Sequence, residues 1–173
     1  MAEVGSPLAA SNGSTNRGLR PGRLQLWWNR APVVLYRLGL GWIFGHVLLL
    51  ITHHGRKSGR VYHTVVQVVR YDPQAEESIV LSGWGGGSDW YLNLRADSAL
   101  EVQTGGCRFV PDQRILMQQE IEAELALYER QHPQNVRIIG KRLGVAMDGS
   151  ESARRALAAV LPMVGFRPRR ALG

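Results

Sequence analysis

The sequence predicts a mainly β domain carrying helices, and three observations support that expectation. Two apolar, β-branched runs, Leu48 to Thr52 and Val61 to Val69, are joined by a short turn holding Gly55 and Gly59, the pattern of two paired strands. A second hairpin is signalled by Gly105-Gly106 between Leu100 to Thr104 and Arg108 to Val110, because consecutive glycines supply the positive φ angles of a two-residue turn. Helical periodicity is confined to short segments. The clearest is Gln118 to Arg130, with Ile121, Leu125 and Tyr128 on one face and Pro133 beyond its end.

Each element follows in order. Residues 1–20 are rich in Gly, Ser, Asn and Ala without hydrophobic periodicity, and are expected to be disordered; they lack the apolar core of a signal peptide. Pro21 to Gly45 is apolar but interrupted by Arg30, Arg37 and glycines, which argues against a membrane span. A helix packed on the domain is expected there, with peripheral contact to an anionic membrane through residues 21–45 as the second reading. After the two strands and a third from Ser78 to Leu81, Ser88 or Asp89 can cap a short helix beginning near Trp90. Beyond the second hairpin and the Gln118 helix, Asn135 to Leu143 reads as a short basic helix. Ser150 can cap a helix from Glu151 to about Val160, and Leu161 to Phe166 reads as a closing strand. The expected order is helix, three strands, short helix, two strands, helices, strand, as one domain over residues 21–173.

The chain has 173 residues, enough for one well-formed core. Its 21 basic against 14 acidic residues give a net charge of +7, which would suit an acidic cofactor, nucleic acid or an anionic membrane. The basic residues are scattered and no nucleic-acid-binding motif is present, so nucleic acid is the least favoured of these partners. The single cysteine, Cys107, excludes an internal disulfide and fits a reducing cytoplasm. No metal-ligand spacing occurs, so no metal is expected.

Two segments carry chemistry. The turn between the first two strands holds Arg56, Lys57, Ser58 and Arg60. Cations, a hydroxyl and free backbone N–H groups converging there would suit a multiply charged anion; a solvated basic hairpin tip is the plainer alternative. The second segment, Ser82 to Leu94, reads SGWGGGSDWYLNL. Its glycines let a ligand approach the main chain, and its helix start offers N–H groups to an anion. Trp84, Trp90 and Tyr91 add flat apolar surface, though Trp90 serves equally well as a plug in the core.

Together these segments resemble the deazaflavin (coenzyme F420)-dependent nitroreductase and F420H2-dependent quinone reductase family. The shared pattern is a hydrophobic strand, the turn Gly55-Arg56-Lys57-Ser58-Gly59, a second strand, and a glycine-bearing loop ending in Trp90-Tyr91-Leu92-Asn93. It continues through Glu101-Val102-Gln103 with Gly105-Gly106, through Tyr128-Glu129-Arg130-Gln131-His132-Pro133, and ends with Leu161-Pro162-Met163-Val164. The resemblance implies a split β-barrel of the FMN-binding split-barrel type, and hydride transfer from reduced F420 to an organic acceptor such as a quinone, a nitro compound or an activated alkene. It implies that Arg56, Lys57, Ser58 and Arg60 hold the phosphate and acidic tail. It sets Ser82, Gly83 and Trp84 near the ring or its side chain, and Trp90, Tyr91 and Asn93 at the pocket border. On the second strand the chain has Tyr62-His63-Thr64 where many members carry arginine or another polar cluster; His63 and Thr64 are kept as cofactor contacts, His63 as a replacement cation when protonated, with a half-buried polar residue as its equal alternative. Tyr91, Tyr128 and His132 are the candidate proton donors or acceptor contacts. FMN is the alternative cofactor, and a non-catalytic carrier of flavin, haem or deazaflavin the alternative function. A basic membrane or nucleic-acid module is the least supported. The expected location is the cytoplasm, with the inner membrane face as its periphery.

Overall fold

The computed structural model describes residues 45–169; the expectations for residues 1–44, disorder, helix and membrane contact alike, lie outside them. Seven strands form one antiparallel sheet curled into a split β-barrel. They are β1 (Leu48–His54), β2 (Val61–Asp72), β3 (Glu77–Leu81), β4 (Glu101–Thr104), β5 (Cys107–Phe109), β6 (Pro111–Ile115) and β7 (Met163–Pro168). Their order across the sheet is β5-β4-β1-β2-β3-β7-β6. Since β5 runs into β6 through Val110 alone, one bent stretch of chain borders both edges and the sheet nearly closes on itself. The helices are α1 (Asp89–Ala96), α2 (Gln118–Gln131), α3 (Pro133–Leu143) and α4 (Glu151–Val160), with a 3-10 turn at Gly85–Gly87.

The β1–β2 pairing runs from Leu48 opposite Gln67 to His54 opposite Val61, so the basic turn closes the longest ladder in the sheet. Gly105 and Gly106, with φ of 55° and 81°, make the two-residue turn that pairs Thr104 with Cys107. β2 carries an irregularity between Val68 and Arg70, which bends it from the β1 side toward β3. Expected and observed strand ends coincide at Leu48, Val61, Leu81 and Thr104 and differ elsewhere by at most three residues.

The strand missed from sequence is β6. Pro-Asp-Gln-Arg-Ile has no apolar alternation and a single β-former, Ile115, at its end, and it becomes a strand by pairing with β7, from Pro111 opposite Pro168 to Ile115 opposite Val164. Proline is tolerated there because it opens the strand at a sheet edge.

Two apolar layers hold the fold. Leu49, Ile51, Val66, Val80, Val102, Val164 and Phe166 fill the barrel with Tyr91 and Leu94 of α1. Ile79 and Met163, pointing the other way from the same strands, meet Leu125, Tyr128, Ile139 and Leu157 of the α2–α4 layer. Burial on both faces explains why β3 reads as a short continuous apolar run. Arg70 of β2 grips Glu124 of α2 at 2.8 Å, Arg154 of α4 grips Glu129 of α2 at 3.1 Å, and Arg114 of β6 grips the buried Glu77 of β3 at 2.6 Å.

Gln113 of β6 fixes the far end of α1. Its Nε2 donates to the Leu94 carbonyl at 3.0 Å, and its Oε1 accepts from the Ala99 N–H at 3.0 Å. Gln113→Ala strips both backbone groups of their partner, and unpaired buried polar groups cost about 1–3 kcal/mol. A loss of that size in urea unfolding is expected. A change below about 0.5 kcal/mol would show that water replaces the side chain.

Candidate functional site

The β1–β2 turn, the start of β2 and the first turns of α1 enclose a cavity of about 390 Å³. Its walls are Gly55–Ser58 of the turn, Tyr62, His63 and Thr64 of β2, His53 of β1, and Asp89, Trp90 and Asn93 of α1. The structure therefore brings together seven residues expected from sequence: Arg56, Lys57, Ser58, His63, Thr64, Trp90 and Asn93.

Asn93 is buried and organises this wall. Its Oδ1 accepts from the Arg56 backbone N–H at 3.1 Å and from the Arg56 guanidinium at 2.9 Å. With the oxygen so fixed, its Nδ2 faces His53 Nδ1 at 3.3 Å. The same Nδ1 lies 3.2 Å from the His54 carbonyl, and Nε2 lies 3.1 Å from Thr64 Oγ1. Arg56 also donates to Asp89 Oδ1 at 3.1 Å. One chain of hydrogen bonds thus links the turn, β1, β2 and α1.

The turn differs from the expectation of free N–H groups. Gly55 N–H donates to the Arg60 carbonyl, Ser58 and Gly59 N–H to the Gly55 carbonyl, Arg60 N–H to Ser58 Oγ, and Arg56 N–H to Asn93. The turn closes like a single turn of helix and spends these donors, leaving the Lys57 N–H. What remains for an anion is that N–H and side-chain chemistry, led by Lys57, which has no ion pair among the described residues, and His63, whose Nδ1 lies 3.1 Å from Thr52 Oγ1. Gly55 is required by close approach: a Cβ there would meet Tyr62 Cε2 at 2.5 Å. Arg60 is exposed at the end of the turn and is not part of the cavity wall.

The other expected residues lie elsewhere. Ser82 is fully buried and donates to the Gly85 carbonyl at 2.8 Å, with Ser88 Oγ at 2.6 Å. Ser88 holds the N-cap position of α1 but spends its hydroxyl on this loop and makes no side-chain cap. The Gly83 carbonyl accepts from Arg142 at 3.2 Å, and the Arg142 guanidinium stacks 4.2 Å from the Trp84 ring. Trp84 therefore anchors the glycine loop to α3 rather than lining this cavity. Tyr91 points away along α1. The Tyr128 hydroxyl accepts from Gln67 at 3.2 Å and from Asn135 at 3.1 Å, with the His132 ring 5.0 Å away; neither Tyr128 nor His132 reaches the cavity.

The sequence reading did not single out His53, Asp89 or Tyr62 as site residues. Their available signal was a polar pair, His53-His54, ending an otherwise apolar strand. Burial pushes the His53 imidazole below its ordinary value near 6.5; the His54 carbonyl opposes this, and the charges of His63 and His54 add to it.

Fold and cavity define the class: a split β-barrel protein whose ligand cavity is edged by cations and aromatic rings. The sequence model of the family described as F420H(2)-dependent quinone reductase matches residues 23–140. The chain belongs to that family. Among solved structures, one described as a domain-swapped dimer shares 17% identity over 82% of this chain and 97% of its own, with a TM-score of 0.50. An F420-H2 dependent reductase shares 19% identity over 70% of this chain and 94% of its own, at 0.48. A pyridoxamine 5'-phosphate oxidase-related FMN-binding protein from Nostoc punctiforme shares 11% over 82% and 80%, at 0.42. No curated protein matches the sequence. Among the described residues no helix is long and apolar enough to cross a membrane, and no group of three or more His, Cys, Asp and Glu gathers as metal ligands.

A histidine kept neutral by burial destabilises the fold when the unfolded chain can take up its proton. The His53 contribution is complete above about pH 6.5, and is lost as pH falls from there toward the depressed folded value. Melting temperature should therefore drop between pH 7 and pH 5, and His53→Gln should flatten that part of the profile. An unchanged slope in the variant would assign the loss to other groups.

Proposed function

We propose that the chain binds reduced coenzyme F420 in the cavity between the basic turn and α1, and passes its hydride to a quinone-type acceptor. The observation carrying this reading is the convergence of Lys57, His63, Ser58 and the Arg56–Asn93 pair around one cavity with Trp90 and Tyr62 on its walls. That donor set fits a ligand with phosphate and carboxylate groups attached to a flat ring system, and a volume near 390 Å³ lies within the range of small-molecule sites.

Lys57 and His63 would neutralise the anionic groups, Ser58 would add a hydroxyl donor, and exposed Arg60 extends the positive edge for an acidic tail. Trp90 and Tyr62 offer the apolar faces that orient a ring and thin out water beside it. When bound, the reduced coenzyme supplies the hydride; the protein contributes binding, orientation and electrostatics. His63 and the Tyr62 hydroxyl are wall groups carrying an exchangeable proton, whereas Tyr91, Tyr128 and His132 stand off this wall. The quinone class of acceptor rests on the family.

Lys57 is exposed and unpaired among the described residues, so Lys57→Ala isolates binding from folding. Hydrogen bonds to charged groups contribute about 1.5–3 kcal/mol, so a loss of roughly 10- to 150-fold in affinity for reduced F420 is expected with an unchanged melting temperature. Fluorescence titration measures it, with FMN as the competing ligand. Binding of FMN as tightly as F420, or an unaffected Lys57→Ala variant, would sink the assignment.

A further inference from the structure

The reverse side of α1 carries a second cavity, of about 480 Å³, between the glycine loop, the end of β6, the start of α2 and the last turn of α4. Asp89, Trp90 and Asn93 face the first cavity; Tyr91 and Arg95, one turn apart, border the second. The remaining wall is mostly apolar, with Ile115, Leu116, Ile121 and Val160 among its residues, and no carboxylate lines it.

Two polar groups in that wall have no partner among the described residues. Arg95 forms no ion pair or hydrogen bond, although nearly every other arginine of the barrel and helices is paired. Tyr91 is buried to 8% exposure with its ring in the barrel core, and its hydroxyl has no hydrogen bond. The buried side-chain polar atoms without a partner are His46 Nδ1, Ser78 Oγ and Gln103 Oε1 among the described residues, so the Tyr91 hydroxyl oxygen reaches solvent and is open to a ligand. Ile115 and Val160, by contrast, remain 42% and 43% exposed at the cavity's apolar rim. A solvent-accessible phenol hydroxyl and an exposed guanidinium one helical turn apart, set in an apolar wall without a carboxylate, complement an amphiphile with one anionic head.

We propose that this cavity is a second ligand site, taking a carboxylate that bears an aliphatic tail. The head accepts from the Arg95 guanidinium and the Tyr91 hydroxyl, and the tail lies on Ile115, Leu116, Ile121 and Val160. Orientation follows from charge: Ala158–Val160 belong to the C-terminal turn of α4, whose carbonyls repel an anion, so the head belongs at α1 and the tail at α4. The site is separate from the coenzyme cavity and does not rest on the F420 assignment.

Isothermal titration with decanoate, octanoate and hexanoate, kept below micelle formation, tests it on the full chain, with 1-decanol as the headless control. Decanoate should bind at least about tenfold more tightly than decanol, because the charged contact is worth that much. Affinity should rise along the acid series by up to about fourfold per methylene. Arg95→Gln should remove the preference for the acid, Ile115→Ser should weaken both ligands, and Arg137→Gln, a charge removed from α3, should leave them within twofold. Equal binding of acid and alcohol, an unaltered Arg95→Gln variant, or equal losses in Arg95→Gln and Arg137→Gln would each overturn the proposal. Displacement of decanoate by F420 in direct competition would also overturn it, by merging the two cavities into one site. If F420 fails to bind at all while decanoate behaves as stated, the second site stands and the coenzyme assignment falls.

Discussion

The candidate site depends on the side-chain amide of Asn93. Its oxygen holds a turn whose other ties to α1, among the described residues, run from the Arg56 guanidinium to Asp89, and its nitrogen faces the buried His53 ring. The relative magnitudes identify the stronger tie. Asp89 has a side chain 87% exposed, and such surface pairs contribute about 0–1 kcal/mol. Removing the Asn93 amide takes the acceptor from the Arg56 backbone N–H and from its guanidinium, and a donor left without its partner costs about 1–3 kcal/mol. The hydrogen-bonded amide, more than the opposite charges, keeps the basic turn against the helix.

This arrangement also explains the chemistry left open to a ligand. Arg56, the first cation of the turn, is occupied in assembling the wall, while among the described residues Lys57 has no ion pair and the His63 ring hydrogen-bonds Thr52 alone, through Nδ1. A cationic turn in a sequence is therefore two populations of charge, one that builds and one that receives. Only the fold separates them.

Much of the architecture was legible because strand composition, the Gly105-Gly106 turn and the Gln118 helix period all agree with the final structure. β6 was not, since only the last residue of Pro111 to Ile115 favours extension by itself; pairing with β7 across about fifty residues imposes it. The site was legible in part. Turn and helix start carry recognisable chemistry, and antiparallel pairing brings them to one cavity. His53 was hidden because a histidine ending an apolar strand looks like a chain leaving the core. Ser82, Gly83 and Trp84 were read as facing a ligand because glycine and tryptophan suit a slot; Arg142, far along the chain, holds Gly83 and Trp84, and Ser82 is turned inward to the Gly85 carbonyl and Ser88. Local patterns encode elements and donor types, whereas the partners of those donors are set by contacts between distant segments.

The position of β7 bears on how the molecule is made. The last strand of the described chain is inserted between β3 and β6, so neither neighbour has its full complement of backbone partners until residues 163–168 arrive. On a ribosome synthesising from the N-terminus, β1 to β3 can zip by local hairpins, yet the β3 edge stays open while four helices are still being added. Exposed strand edges are templates for pairing with other chains, and late, long-range closure prolongs that exposure. The interval before β7 docks is thus the aggregation-prone stage of biogenesis, and a chain cut short after α4 would keep that edge permanently.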